Sequence, residues 1–260
     1  MIQNVTQANR IVVKVGTSTL AHKTGLMNIQ RMERLVKVLA DLKNSGKEII
    51  LVSSGAIGVG VGKMGLKEKP TDTPAKQACA AIGQCELMYC YDKYFSEYNH
   101  SVAQVLLTRD IIDSPERKQN VVNTFQNLLR YGVVPVVNEN DTVAVEEIVF
   151  GDNDTLSAIV GSLVGADLLI ILSDIDGVFD QNPRVNPNAK LIPHIPEITD
   201  SIRALAGDHG TSLGTGGMVT KITAAQIGLN AGFPTVILNG SRPENLYDLL
   251  EGKQVGTYIG

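Results

Sequence analysis

Two lysines that lie far apart in the chain have sequence contexts suited to holding a phosphate group. Lys221 ends the glycine-rich stretch GTGGMVTK (214–221), which opens a predicted helix. Glycines let backbone N–H groups approach a phosphate, and a helix N-terminus adds a favourable potential for an anion. Lys14 lies within the apolar run IVVKV (11–15), where a lysine loses hydration unless an anionic partner is near. These contexts favour a phosphate site; the alternatives are a solvated Lys221 on a surface loop and an edge-strand Lys14 that points to water.

Several carboxylates accompany these lysines. They are Asp141, Asp152, Asp154, Asp174 and Asp176. Acids beside two lysines suit a magnesium–nucleotide complex, because Mg²⁺ takes one or two carboxylates plus phosphate oxygens. The alternative is that these acids cap helices or turns; we expect this for Asp152, and Asp176, before Gly177, is a second candidate for it. Asp154 begins a helix that reads as buried, so its carboxylate is placed to orient both lysines.

Two common nucleotide-binding motifs are excluded. The stretch GVGKMG (60–65) fits the pattern G-x-G-x-x-G, but the preceding strand ends near Ser53 and its turn is SSG (53–55). A dinucleotide fingerprint must form that turn itself, so these glycines lie too far downstream. The pattern G-x-x-x-x-G-K-[ST] does not occur in the sequence. If the protein handles nucleotides, it uses another architecture.

Cysteine and histidine patterns give no sign of a transition-metal site. Cys79, Cys85 and Cys90 form no C-x-x-C pair, and the four histidines form no H-x-x-x-H pair. We expect three reduced thiols on one helix.

Short, β-branched apolar runs alternate with helix-like stretches. The predicted strands are 11–15, 48–52, 102–107, 133–137, 167–172 and 235–238; the predicted helices are 28–45, 75–98, 115–131, 154–165 and 218–231. Continuous apolar runs are typical of strands buried on both faces. The order predicts an α/β fold: one open, doubly wound, mainly parallel sheet with helices on both faces.

Small, polar and glycine residues follow these strands. They are KVGTS (14–18), SSGA (53–56), NEND (138–141) and SDIDG (173–177). Ligands of open α/β sheets bind at the carboxyl ends of the strands, so we expect these segments to meet there with residues 214–221.

Two segments break the alternation. Residues 142–152 predict a hairpin inserted before a helix, and residues 176–196 carry four prolines and predict a long excursion from the sheet. Loops of that length are usually functional or mobile. Without an internal repeat or a linker, residues 1–260 are predicted to form a single domain.

Composition restricts the class of partner. The chain has 260 residues, of which 43% are hydrophobic and 19% charged, so it is not a disordered protein. A net charge of −4, no tryptophan and only 5% aromatic residues argue against nucleic-acid binding. No apolar stretch approaches the roughly 20 residues that span a bilayer. We therefore expect no membrane partner, no secretory signal and a cytoplasmic location.

Six motifs in order identify a family. The sequence KVGTSTL, LVSSGAIGVG, VVPVVNENDTV, FGDNDTLSA, LSDIDGVFDQNPR and GTGGMVTK resembles the amino acid kinase family, from about residue 9 to residue 259. Aspartokinases tend to begin with K-F-G-G-T, N-acetylglutamate kinases with K-Y-G-G and uridylate kinases with K-x-S-G. The segment KVGTS (14–18) is instead similar to the branch that phosphorylates free glutamate.

This resemblance implies an activity. The chain would transfer the γ-phosphoryl group of ATP, with Mg²⁺, to the γ-carboxylate of L-glutamate, which is the first step of proline biosynthesis. The alternatives are a kinase for another carboxylate, aspartate or N-acetylglutamate, and a non-catalytic amino-acid sensor on the same fold. Position 173 holds serine where the family usually has threonine; the hydroxyl is retained, so we expect a small effect on binding.

The resemblance also assigns site residues. The catalytic residues are Lys14, Asp154 and Lys221, with the lysines on the β- and γ-phosphates and Asp154 orienting them. The implied glutamate-binding residues are Ser54, Gly55, Ala56, Asp141 and Asn153. The implied ATP-binding residues are Lys14, Gly16, Ser173, Asp174, Thr215, Gly216, Gly217, Met218, Val219, Thr220 and Lys221.

Further expectations concern regulation and assembly. The resemblance implies feedback inhibition by proline at or overlapping the glutamate site, and a homo-oligomer, either dimer or tetramer. Many bacterial members continue into a C-terminal domain of a kind also found in RNA-modifying enzymes, which we expect this chain to lack. Met88, Tyr89, Tyr91 and Tyr94 on the 75–98 helix are candidates for a subunit interface, with core packing as the alternative.

Overall fold

The strands form one mainly parallel sheet in which the first strand of the chain is central. The computed structural model describes residues 2–22, 24–108, 111, 113–143, 153–207 and 217–260. Its strands are β1 (Arg10–Val15), β2 (Glu48–Ser53), β3 (Val102–Leu107), β4 (Val134–Glu139), β5 (Leu168–Ser173), β6 (His194–Ile195), β7 (Thr235–Asn239) and β8 (Thr257–Ile259). Their order is β3-β4-β2-β1-β5-β7-β8-β6. Strands β7 and β8 pair antiparallel, and the other pairings among the described strands are parallel.

Helices cover both faces of this sheet. In the described residues they are α1 (Ile2–Thr6), α2 (Thr17–Leu20), α3 (Ile29–Asn44), α4 (Ala56–Lys63), α5 (Thr73–Ser96), α6 (Pro115–Arg130), α7 (Asn153–Val164), α8 (Asp200–Ala206), α9 (Met218–Ala231) and α10 (Asn245–Leu250). The helices α1, α3, α4, α5 and α10 contribute to the core on one face, and α6, α7, α8 and α9 to the core on the other. The predicted fold class is confirmed. Among the described residues, no helix combines the length and apolarity needed to cross a membrane.

Alternation along β1 decides which way Lys14 points. Ile11, Val13 and Val15 belong to the core that contains α3 and α5, whereas Val12 belongs to the core that contains α7 and α9. Side chains two residues apart on a strand share a face, so Lys14 points to the side of α7 and α9. Because β1 pairs with β2 on one side and β5 on the other, Lys14 is not an edge-strand residue.

The six predicted strands and five predicted helices are confirmed, each bound lying within two residues of its prediction. The elements that sequence patterns missed are short: β6, β8, α1, α2, α4, α8 and α10. Segments of two to eight residues carry too few turns or alternations to give a periodic signal. The excursion over 176–196 contains no helix, only a bridge between Phe179 and Leu191 and the strand β6. From residue 144 on, the hairpin predicted over 142–152 lies outside the described residues.

The interface residues proposed on α5 divide between core and surface. Tyr91 and Tyr94 are buried in the core, and Met88 packs partly against it, which supports the core alternative for them. Tyr89 is 64% exposed. The three cysteines of α5 are free thiols.

One glycine of the excluded G-x-G-x-x-G stretch, Gly60, serves helix packing. A Cβ atom on Gly60 would lie 1.9 Å from the carbonyl oxygen of Cys79, and one on Gly83 would lie 1.8 Å from that of Ala56. The backbones of α4 and α5 therefore touch at these points. This contact fixes the start of α4, which directly follows the turn at the end of β2.

Gly60→Ala should separate α4 from α5 and lower the free energy of unfolding by about 1–3 kcal/mol, the usual effect of overpacking. The matched control is Gly58→Ala in the same helix, where a Cβ atom meets only the Thr17 methyl group at 3.5 Å. That control should be neutral or stabilising by up to about 1 kcal/mol, because alanine favours the helix. Urea unfolding of both variants measures the difference; equal stability of the two would refute the packing role.

Candidate active site

A carboxylate held between two ammonium groups lies at the carboxyl end of β1. Lys14 Nζ is 2.7 Å from Asp154 Oδ1, and Lys221 Nζ is 2.9 Å from Asp154 Oδ2. Asp154 is fully buried, and the lysines are 7% and 6% exposed. The structure thus brings together the three side chains that the sequence placed 140 and 67 residues apart.

Three elements converge to make this cluster. Lys14 lies one residue before the end of β1, Asp154 is in the first turn of α7, and Lys221 is in the first turn of α9. Because both helices begin at the same edge of the sheet, their first turns face the end of β1. Strands β2 to β4 lie on one side of β1, and β5 to β8 lie on the other. Open α/β sheets bind ligands at such a switch point in the strand order.

The electrostatics of the cluster keep Asp154 ionised. Burial alone would raise the pKa of Asp154, but the charges of Lys14 and Lys221, and hydrogen bonds from both, outweigh it. The pKa of Asp154 is therefore held well below its usual range. With two ammonium groups and one carboxylate, the cluster carries a net charge of +1, which suits an anionic ligand.

Thr220 adds a third donor to Asp154. Its Oγ1 donates to Asp154 Oδ2 at 2.7 Å and lies 2.8 Å from the carbonyl oxygen of Gly217. Thr220 thereby ties the N-terminus of α9 to the first turn of α7. Thr220 therefore lies beside the Asp154 carboxylate and does not line the cavity next to Lys221 that is described below.

Gly16 lies beside the amine of Lys14, and Gly55 shapes the adjacent turn. A Cβ atom on Gly16 would lie 3.7 Å from Lys14 Nζ, so this glycine keeps the space beside the amine open. Gly55 caps α4 with a left-handed φ of 103°, which favours glycine over any other residue. Together they let the turns after β1 and β2 come close, with Ser54 N–H donating to the carbonyl oxygen of Val15.

A buried amide network joins the ends of β2 and β4 to α7. Asn153 Nδ2 lies within 3.0 Å of three acceptors: Ser53 O, Ser54 Oγ and Asn138 Oδ1. Asn138 Nδ2 in turn donates to Gln84 Oε1 of α5 at 2.8 Å. The predicted binding residues Ser54 and Asn153 are therefore in direct contact, and Asn153 directly precedes Asp154 in the chain.

The remaining residues of the implied glutamate site lie at the same edge. Gly55 and Ala56 form the start of α4, and Asp141 is half-buried two residues after β4. Ser53 Oγ is 2.8 Å from the hydroxyl of Tyr91, whose pKa is raised by burial. Asn138, Gln84 and Tyr91 are contributions that sequence reasoning missed, although Asn138 lies within the NEND motif.

A cavity beside Lys221 matches the implied nucleotide site in part. It is lined by Ser173, Asp174, Ile175, Val178, Phe179, Gln181, Asn182, Pro183, Arg184, Leu205, Ala206, Gly217, Met218 and Lys221. Ser173, Asp174, Gly217, Met218 and Lys221 were predicted; Val219 is exposed and does not line it. Thr215 and Gly216 lie outside the described residues.

The excursion after β5 supplies most of the lining that was missed. Arg184 Nη2 lies 2.5 Å from Asp174 Oδ2, so the excursion folds back over the end of β5. Its length indicated a functional or mobile loop, but no residue pattern singled out Arg184 or Phe179.

The described residues fit a metal that arrives with phosphates rather than a metal held by the protein alone. No group of three or more His, Cys, Asp or Glu side chains with metal-binding geometry occurs among them. Asp154 is engaged by both lysines and does not line the cavity, whereas Asp174 lines it and pairs with Arg184 through Oδ2. One carboxylate plus phosphate oxygens is an arrangement that Mg²⁺ accepts.

Comparison with known proteins establishes the family. Residues 9–239 match the amino acid kinase family, and this chain belongs to it. Its backbone superimposes on a UMP kinase from Ureaplasma parvum with a TM-score of 0.68 at 16% identity, covering 98% of this chain and 99% of that one. An isopentenyl phosphate kinase superimposes with a TM-score of 0.66 at 17% identity, covering 97% and 100%. At such identities these structures support the fold alone.

Closer relatives share one name. The chain is 54% identical to the glutamate 5-kinase of Clostridium perfringens over 254 residues, which is 96% of this chain and 94% of that protein. It is 52% identical to the glutamate 5-kinase of Listeria innocua over 261 residues, covering 99% and 95%. The glutamate 5-kinase of Carboxydothermus hydrogenoformans is 57% identical over 251 residues, covering 96% of this chain and 67% of that longer protein. The resemblance inferred from the six motifs is confirmed.

Asp154→Asn should lower the free energy of unfolding by about 3 kcal/mol or more, because it leaves two buried ammonium groups without their counter-charge. Because its pKa is lowered in the folded state, Asp154 stabilises the fold at pH values above its unfolded-state pKa of about 3.9. This stabilisation is lost as the pH falls toward the folded-state pKa. Urea unfolding should therefore show a shallower acid dependence for the variant than for the parent. The control is Asp92→Asn, at an exposed position on α5. Parallel acid profiles for Asp154→Asn and the parent would contradict this assignment.

Proposed function

We propose that this protein is an ATP-dependent kinase that phosphorylates the γ-carboxylate of L-glutamate, giving γ-glutamyl phosphate and ADP at the start of proline biosynthesis. The observation that carries the proposal is the buried Lys14–Asp154–Lys221 cluster, which carries a net positive charge and borders the cavity through Lys221. The 54% identity to the Clostridium perfringens glutamate 5-kinase over nearly the whole chain supports the choice of glutamate.

The chemistry of the acceptor explains why the site needs no general base. A glutamate side chain has a pKa near 4.3, so at neutral pH its carboxylate is already an ionised nucleophile. The obstacle is repulsion between this carboxylate and the polyphosphate. Two unit charges 4 Å apart interact by about 4 kcal/mol at an effective dielectric of 20. Catalysis is therefore a matter of positioning and of charge stabilisation.

Lys14 and Lys221 supply that stabilisation. Their amines are fixed before ATP binds, because Asp154 holds both, so little reorganisation is required when negative charge develops on the transferred group. Asp154 acts as a positioning residue. Asp154 neutralises only one of the two ammonium charges, so one positive charge remains available to the phosphates.

We place the two substrates, ATP and glutamate, at separate groups of residues around this cluster. Ser173, Asp174, Gly217, Met218 and Lys221 line the cavity, where we place ATP, and we assign glutamate to Ser54, Gly55, Ala56, Asp141 and Asn153. Mg²⁺, held by the phosphates and by Asp174, would supply further charge neutralisation. From the family resemblance we also propose a homo-oligomer, inhibition by proline and a cytoplasmic location.

Lys221→Met should reduce kcat by at least about 100-fold, the loss typical of removing one preorganised charge donor. The fold should persist, because Lys14 still neutralises Asp154 and methionine retains the apolar stem of the side chain. Coupled ADP-release kinetics and thermal unfolding measure the two effects. The control is Lys118→Met, at an exposed position on α6. Turnover near the parental value would overturn the role of Lys221.

Trapping with hydroxylamine distinguishes the acceptors. An acyl phosphate formed from L-glutamate gives the hydroxamate, and we expect this product with L-glutamate but little with aspartate or N-acetylglutamate. If aspartate or N-acetylglutamate gave the higher yield of hydroxamate, that acid and not glutamate would be the substrate. Calorimetric binding of glutamate or proline without any binding of magnesium–ATP would favour an amino-acid sensor.

A further inference from the structure

The amide of Asn153 is oriented so that, among the described residues, its nitrogen makes the hydrogen bonds and its carbonyl oxygen makes none. Each hydrogen bond of this side chain within the described residues uses Nδ2, which donates toward Ser53 O, Ser54 Oγ and Asn138 Oδ1. An amide nitrogen has two hydrogens, so these three acceptors saturate it. The atom that remains, Oδ1, can only accept. It therefore selects a ligand group that donates.

The orientation of Asn153 depends on that of Asn138. Asn138 Oδ1 accepts from Asn153 and from the backbone N–H of Glu139, both at 2.8 Å. Its Nδ2 donates to Gln84 Oε1 at 2.8 Å. If the Asn138 amide rotated by half a turn, nitrogen would face two donors and the bond to Gln84 would be lost. Because Asn138 is only 2% exposed, water cannot readily replace those partners.

Gln84 is the outer member of this relay. It lies on α5, is half-buried, and was not singled out by any sequence motif. It contacts neither Asp154 nor the lysines in the described hydrogen bonds, so its influence passes through Asn138.

We infer that Gln84 is a positioning residue for substrate recognition: acting through Asn138, it holds the carbonyl oxygen of Asn153 toward the α-ammonium group of the amino-acid substrate. This inference rests on the proposed function, since it assumes that Asn153 faces the phosphoryl acceptor. An ammonium group offers three donors, whereas an acid without it provides no donor for this oxygen. Sites that hydrogen-bond a polar substrate group reject analogues that lack it.

The test compares L-glutamate with glutarate, which has the same reacting carboxylate but no ammonium group. The parent should favour L-glutamate in kcat/KM by a wide margin. In Gln84→Met, which removes the acceptor at similar volume, that preference should fall about 10-fold, mainly through KM for L-glutamate, while KM for ATP changes little. Gln84→Ala should behave alike. Gln84→Glu retains an acceptor for Asn138 and should keep the parental preference or exceed it. Gln126→Met, at an exposed position on α6, is the matched control.

The outcomes separate this inference from the proposed function. General damage to the site would lower kcat/KM for both acids equally and leave their ratio unchanged. An unchanged ratio in both Gln84→Met and Gln84→Ala would overturn the role of Gln84. Absence of hydroxamate from L-glutamate with the parent enzyme would instead refute the proposed function.

Discussion

The site depends on one desolvated carboxylate that keeps two ammonium groups together. Two lysine amines at this depth would repel each other and each would lose hydration; a single ionised aspartate between them offsets both costs. The balance is asymmetric, because two positive charges face one negative charge. The folded protein therefore stores a fixed excess of positive charge at the site proposed for phosphoryl transfer, and it does so without a cluster of metal-ligating side chains among the described residues.

The surrounding fold makes this arrangement possible through strand alternation. Val12 and Lys14 share a face of the central strand β1, and the helices on that face, α7 and α9, both begin at its carboxyl end. Asp154 and Lys221 thus meet Lys14 from the first turns of two helices. On the opposite face, the close contact of α4 with α5 holds the turn after β2 and brings α5 near the ends of β2 and β4. Helices on both faces of one sheet therefore support the site, and α7 carries both Asn153 and Asp154.

Much of this could be predicted from the sequence, and the exceptions share a physical cause. A lysine inside an apolar strand and a lysine after a glycine-rich turn each signal an anion, so Lys14, Lys221 and Asp154 could be grouped before their distances were known. The relay from Gln84 through Asn138 to Asn153 could not be, because it depends on the register of α5 against β4 and on amide orientation. The same holds for the bond between Tyr91 and Ser53, and for Arg184 folding back on Asp174. Short elements such as α4 lacked a periodic signal of their own.

The central claim is that Lys14 and Lys221 act on the same transferable phosphoryl group. The most direct measurement is a crystal structure with magnesium–ADP, L-glutamate and aluminium fluoride, which mimics that group between donor and acceptor. We expect both amines within hydrogen-bond distance of the fluoride or phosphate atoms, about 2.7–3.2 Å, with Asp154 still contacting each. An amine of either lysine that stays beyond hydrogen-bond distance of every phosphate and fluoride atom would contradict a shared role.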